Sequence, residues 1–231
     1  MVRRWRGVLA AIIILGVGVG FVIWRLMDVA PSWYAPPNAA DQSVIDLADR
    51  VEYRLVQETQ RIRPAQDDRW TLRITDAQIN AWLSARLSKW IMHQTGSPWP
   101  AEVGTPQVNF SPRGISITLP LMHELKTRYV TVRVKPTIQS GTLRLELQRV
   151  AIGRVGLPGE AVANLLQTIA ESAPGAMDHP QIKTTLDWLD RREHIDPVLE
   201  LEDGRRIRLL NIRLDHGSVD VTAQTLPRDQ N

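Results

Sequence analysis

Between residues 69 and 90 the spacing of apolar positions changes period. Trp70, Leu72 and Ile74 alternate with Thr71 and Arg73, which predicts a half-buried strand. Ile79, Leu83, Leu87 and Trp90, with Trp82 beside them, then recur at helical spacing. Thr75 and Gln78 stand three residues apart at the junction, the pattern of a capping box. Asp76 falls in the first turn. Asn80 follows near the helix start, where its short amide suits a bond to backbone or to a neighbouring strand.

Upstream, Val44, Ala48, Val51, Leu55 and Ile62 form an apolar stripe with charges opposite it. This predicts a helix over about 41–63, capped by Asp41 and ended by Pro64. Downstream, Gly and Pro mark 93–107 as a loop. Antiparallel strands follow. Val108 and Phe110 lead through a turn at 112–114 to Ile115, Ile117 and Leu119. Val130, Val132 and Val134 alternate with Thr131, Arg133 and Lys135. Residues 139–141 turn the chain into Leu143, Leu145 and Leu147. The glycine-punctuated stretch from Gly153 to Gly159 leads into a predicted helix, with Pro158 near its first turn and Val162, Leu165, Leu166 and Ile169 as its stripe. A second, polar helix is predicted from about Pro180. Ile207 and Leu209, then Leu210, Ile212 and Leu214, predict a strand with a bulge or register change. Residues 215–217 form a hairpin turn, and Val219 and Val221 close the sheet.

The N-terminus differs from everything after it. Residues 7–24 are 18 consecutive uncharged residues, which at about 1.5 Å each nearly span a hydrocarbon core of roughly 30 Å. Leu26 and Met27 extend the run. Arg3, Arg4 and Arg6 precede it, so the positive-inside rule sets the N-terminus in the cytoplasm and the rest outside. A cleaved signal peptide is the rival, but Asp28 and Pro31 flank Ala30 and spoil the cleavage pattern. Gly16 and Gly20 have the spacing that lets two membrane helices approach, a weak dimerisation signal. The segment 28–40, with Pro31, Pro36 and Pro37, reads as a semi-rigid spacer that lifts the domain off the membrane. The expected organisation is a cytoplasmic N-terminus (1–6), a single-pass membrane helix (7–27), a Pro-rich linker (28–40), an extracytoplasmic α+β domain (41–226) and a short tail (227–231).

Charge adds one exclusion. The chain carries a formal +3, and residues 1–30 hold four Arg and one Asp; the remainder is balanced at 24 basic and 24 acidic residues. A balanced domain has no electrostatic reason to bind nucleic acid. There are no cysteines, hence no disulfide and no thiol chemistry. The five histidines, His93, His123, His179, His194 and His216, lack zinc-site spacing. No phosphate-binding loop, dinucleotide motif or nucleophile elbow is present. No catalytic residue, metal site or cofactor is predicted.

The segments around Thr75, Asp76, Gln78, Ile79 and Asn80, the strand pair at 106–117, and Gly153, Val155, Leu157 and Pro158 together resemble the YpmS-like family. These are bacterial proteins with one membrane helix and an external domain. The same order is similar to extracytoplasmic proteins with a tubular-lipid-binding-like half-module. The resemblance covers roughly 70–225 and departs at 176–200, where a polar helix is inserted. It implies one strongly curled antiparallel sheet packed by helices around an apolar groove. The lining it implies is Trp82, Leu83, Ile115, Ile117, Val130, Val132, Val134, Leu143, Leu145 and Leu147. From one sequence core and groove look alike, and the ordinary expectation for such residues is core. The expected function is noncatalytic binding of a lipid or other apolar envelope molecule; the alternative is a module that positions an envelope protein partner.

Overall fold

The computed structural model describes residue 22 and residues 24–61, 69–123, 126–158, 195–201 and 204–226. Within them the chain is α+β, with three complete helices, a helical stretch at 24–27 and two antiparallel sheets. Helix α1 (Gln42–Gln60) starts where expected. Asp41 accepts a hydrogen bond from the Ser43 N–H at 2.9 Å and a second from its hydroxyl at 2.8 Å. These bonds hold the Asp41 carboxyl below its ordinary range. Ala48 and Val51 of the predicted stripe are buried, and α1 packs on α2 (Asp76–Ala85).

The strand-to-helix junction forms as the sequence predicts. Strand β1 (Arg69–Thr75) ends in the capping box. Thr75 Oγ1 accepts from the Gln78 N–H at 3.2 Å, and Gln78 Oε1 accepts from the Thr75 N–H at 2.9 Å. The following helix is not continuous. It breaks at Arg86, whose φ/ψ of −120°/−31° separates α2 from α3 (Leu87–Thr95).

Where one curled sheet was expected, there are two open ones. The five-stranded sheet runs β2 (Gln107–Ser111), β3 (Gly114–His123), β4 (Lys126–Gln139), β5 (Thr142–Ile152) and β6 (Val155–Gly156), in that order. The four-stranded sheet has the order β1, β9 (Ser218–Leu226), β8 (Arg206–Asp215), β7 (Val198–Glu200). Alternation along each strand marks a buried face but carries no pairing information, so β1 can join the C-terminal hairpin instead of its sequence neighbours. Arg73 fixes that pairing across β1 and β9 with a two-pronged ion pair, Nε to Asp220 Oδ1 and Nη2 to Oδ2, both at 2.6 Å. The predicted register change in β8 falls between Leu209 and Asn211.

The sheets meet where β2 and β4 contact β8. Phe110 and Val150 on one sheet and Ile207, Val219 and Ala223 on the other are buried. The turn joining β8 to β9 reaches both layers. Gly217 donates its N–H to the Phe110 carbonyl at 3.1 Å and accepts at its own carbonyl from the Asp76 N–H at 3.0 Å.

Residues 24–27 are helical, and they are, with Val22, the described part of the expected membrane helix; the rest of 7–27 lies outside the described residues. Among the described residues no helix is long and apolar enough to cross a membrane. The helices predicted after Pro158 and from about Pro180, and the tail at 227–231, also lie outside them.

Candidate functional site

Strand register assembles most of the predicted apolar lining. Ile115 pairs with Val134 and Ile117 with Val132 across β3 and β4. Val132 pairs with Val150, Val134 with Leu147 and Val130 with Ile152 across β4 and β5. Side chains alternate between faces along a strand. Ile115, Ile117, Val130, Val132, Val134, Leu143, Leu145 and Leu147 therefore share one face of the five-stranded sheet.

That face survives a change of parity. Leu143, Leu145 and Leu147 are odd-numbered, whereas Val150 and Ile152 are even. The register shifts opposite Arg133 and Val134, with Gln148 as the extra residue on β5. The bulge absorbs one position, so apolar side chains on both sides of it face the same way. The one-residue parity slip between Leu147 and Val150 was the signal for it in the sequence.

The face is only partly covered. Ile117, Leu145 and Leu147 are 43%, 36% and 37% exposed. Trp82 stands apart from this set. Its Nε1 donates to Glu52 Oε2 of α1 at 3.3 Å, and its ring meets Trp90 of α3 edge-on at 6.1 Å. Leu83 lies on the same helix, α2, half-buried. The eight sheet residues are thus brought together, and Trp82 is directed to the helical layer.

The motif residues of α2 act structurally. Ile79 is half-buried. Asp76 Oδ1 accepts from the Ala77 N–H at 2.7 Å. The buried amide of Asn80 binds Val108 of β2 twice, donating from Nδ2 to its carbonyl at 2.8 Å and accepting from its N–H at 2.7 Å. Asn80 thereby occupies the place of a missing strand partner at the β2 edge.

On the opposite face of the same sheet the burial is polar. Ser116 and Thr118 are 1% and 0% exposed. Thr118 Oγ1 and Thr131 Oγ1 lie 2.7 Å apart, and Arg133 Nε donates to Ser116 Oγ at 2.9 Å. The cover is the Pro-rich segment read from sequence as a spacer. Instead of standing free, it forms a strap across the sheet. Gln107 accepts from the Ala35 N–H at 2.7 Å and donates to the Ala35 carbonyl at 2.9 Å. The Tyr34 hydroxyl donates to the Thr105 carbonyl at 2.7 Å, and its ring meets Tyr129 edge-on at 5.2 Å. Burial first, and the neighbouring Tyr129 second, push the Tyr34 phenol up to about 12.

Gly153 completes the strap's path. It holds φ = +58° in the β5–β6 turn, and a side chain there would collide with the Leu26 and Met27 carbonyls. Arg154 donates its backbone N–H to the Leu26 carbonyl at 3.0 Å. Pro158 is exposed at the end of the described strand region.

A cleft between α1 and α2 is lined by Asp49, Glu52, Tyr53, Val56 and Arg86. Its carboxylates are engaged, Asp49 with Arg86 and Glu52 with Trp82. Elsewhere, the hydrogen bonds from Arg73 hold the Asp220 carboxyl below its ordinary range. Among the described residues no three His, Asp or Glu are grouped to hold a metal ion. Compared with protein-family models and with curated proteins, the sequence matches none.

Proposed function

We propose that this chain is a noncatalytic binding domain of the cell envelope, held by an N-terminal membrane helix with its folded part outside, and of the YpmS-like, tubular-lipid-binding-like kind. Its ligand is a lipid or another apolar envelope molecule laid along β3, β4 and β5. One observation carries this reading. Ile117, Leu145 and Leu147 remain exposed on a sheet face whose neighbours Ile115, Val130, Val132 and Val134 are apolar and half-buried. Contiguous apolar surface left in water marks a place that something else covers.

The open form of that face supports a second reading. The strip lies on a sheet surface, and neither it nor Trp82 lines the pocket under the strap or the α1–α2 cleft. A flat strip also suits an envelope protein that contributes an apolar surface of its own.

The test is native mass spectrometry of the full chain in neutral detergent, with lipid extraction of the same sample. A stoichiometric lipid that disappears in an L145K/L147K variant supports the first reading. A lipid-free mass with no uptake of added phospholipid sinks it. Variant-sensitive cross-linking to one envelope protein would then support the second.

A further inference from the structure

The strap and the polar face of the five-stranded sheet line an open pocket of about 280 Å³. Ser32 and Trp33 line it from the strap, and Arg133, Arg149, Ala151 and Arg154 from the sheet and its last turn. Three guanidinium groups and no carboxylate contribute to this lining.

Arg133 and Arg149 are directly opposite each other across β4 and β5. Like charges in that position repel. The ion pairs Arg73–Asp220 and Arg86–Asp49 involve neither of them nor Arg154. Their hydrogen bonds engage one end of the group only. Arg133 donates from Nε to Ser116, and Arg154 donates from Nε to the Ala30 carbonyl at 3.2 Å. The guanidinium of Arg149 lies over Gly156, where an added side chain would come within 3.2 Å of Nη2 and 3.3 Å of Nε. The glycine makes room for this placement.

Arginines on a polar strand face ordinarily need no explanation, because water solvates them. Here the strap lies beside the face, Ala151 is 5% exposed and Arg133 is half-buried, while Arg149 and Arg154 reach the surface at the pocket's rim. Three cations lining one pocket, with no carboxylate in that lining, form a site that an anion completes. Guanidinium forks match the oxygens of phosphate in charge and geometry. The volume, just below the roughly 300–1,000 Å³ of small-molecule sites, fits a phosphate group with a small substituent.

We infer that this pocket binds a phosphate-bearing anion through Arg133, Arg149 and Arg154. Two sources share that chemistry, a free phosphate solute and the headgroup of an anionic phospholipid. The strap begins only a few residues beyond the predicted membrane helix, which brings a headgroup within reach if the chain is anchored as proposed. The site lies on the face opposite the apolar strip and stands whether or not that strip binds an apolar molecule.

The experiment is calorimetric titration of the full chain in neutral detergent with inorganic phosphate, dioctanoyl phosphatidylglycerol and dioctanoyl phosphatidylcholine. One equivalent of phosphate or phosphatidylglycerol is expected to bind, with affinity falling at least tenfold in R149Q/R154Q and unchanged in R113Q. Arg149, Arg154 and Arg113 are all exposed; R149Q alone, which leaves the Arg154–Ala30 bond in place, should also weaken binding and separates loss of charge from loosening of the strap. Binding of phosphatidylglycerol alone identifies a lipid headgroup; binding of inorganic phosphate as well identifies a free solute. No binding of either, equal binding of phosphatidylcholine, or equal affinity in R149Q/R154Q overturns the inference. The L145K/L147K variant, which tests the apolar strip, is expected to leave phosphate binding intact.

Discussion

Gln107 and Ala35 are joined by a reciprocal pair of hydrogen bonds across 72 positions of sequence, side-chain amide to backbone amide, at 2.7 and 2.9 Å. Asn80 makes the same kind of pair with Val108, the next residue along β2. Two carboxamides thus serve as single-residue strand mimics on adjacent positions. One ties a helix to the sheet, and the other ties the strap to it.

Replacing Asn80 by Ala is expected to destabilise the domain by about 2–4 kcal/mol, because it leaves both polar groups of Val108 without their partner in a buried setting. Urea unfolding measures this. A loss below about 1 kcal/mol would mean that water takes over the role.

Replacing Gln107 by Ala is expected to cost about 1–2 kcal/mol and to act mainly on the strap. Hydrogen exchange at the Ala35 amide should accelerate at least tenfold, and limited proteolysis should open new sites in 28–40. Unchanged protection at Ala35 would show that Tyr34 and Gly153 hold the strap without it.

The Tyr34 phenol makes the strap sensitive to alkali. Its ordinary 10.0 is raised to about 12 in the folded chain. Below pH 10 the group is protonated in both folded and unfolded forms and does not change stability. Between about 10 and 12 the unfolded chain gives up its proton while the folded chain keeps it, so stability falls as pH rises. A phenolate transition near 12, read by ultraviolet absorbance and absent in Y34F, is the expected result. Y34F should also flatten the alkaline limb of the unfolding curve.

Deleting Gln148 and replacing it by Ala should differ sharply. The side chain is exposed, so Q148A is expected to fall within about 0.5 kcal/mol of the parent. Deletion removes the bulge and turns either Leu143, Leu145 and Leu147 or Val150 and Ile152 to the polar face. A loss above about 3 kcal/mol, or failure to fold, is expected. Comparable stability of the two variants would show that the bulge can move along β5.

Local rules were the legible part of this sequence. The Thr75–Gln78 box, the Asp41 cap, the hairpin turns and the slip in β8 each depend on residues a few positions apart, and each forms. The structural role of Asn80 was also readable, because a short amide at a helix start has few other uses. Sheet partition was not, since the pairing of β1 with β9 depends on contacts such as Arg73–Asp220 that alternation does not encode. Trp82 entered the expected lining through the resemblance alone; its indole instead donates to Glu52 on another helix. The strap was hidden by its own composition. Prolines predict an extended spacer and say nothing of what lies beside it, although Trp33 and Tyr34 were apolar surface in search of a neighbour.

The strap also changes what an attachment at the N-terminus would mean mechanically. A flexible tether lets a domain sweep a volume and raises its effective concentration for partners throughout it. Here, a pull applied at residue 24 passes into the Leu26–Arg154, Ala30–Arg154 and Ala35–Gln107 bonds before it reaches the helices. For a chain anchored as proposed, the sheet would be mounted more like a bracket than a float. Its height and heading over the bilayer would be set by those bonds, and whatever it binds would have to arrive from a fixed direction.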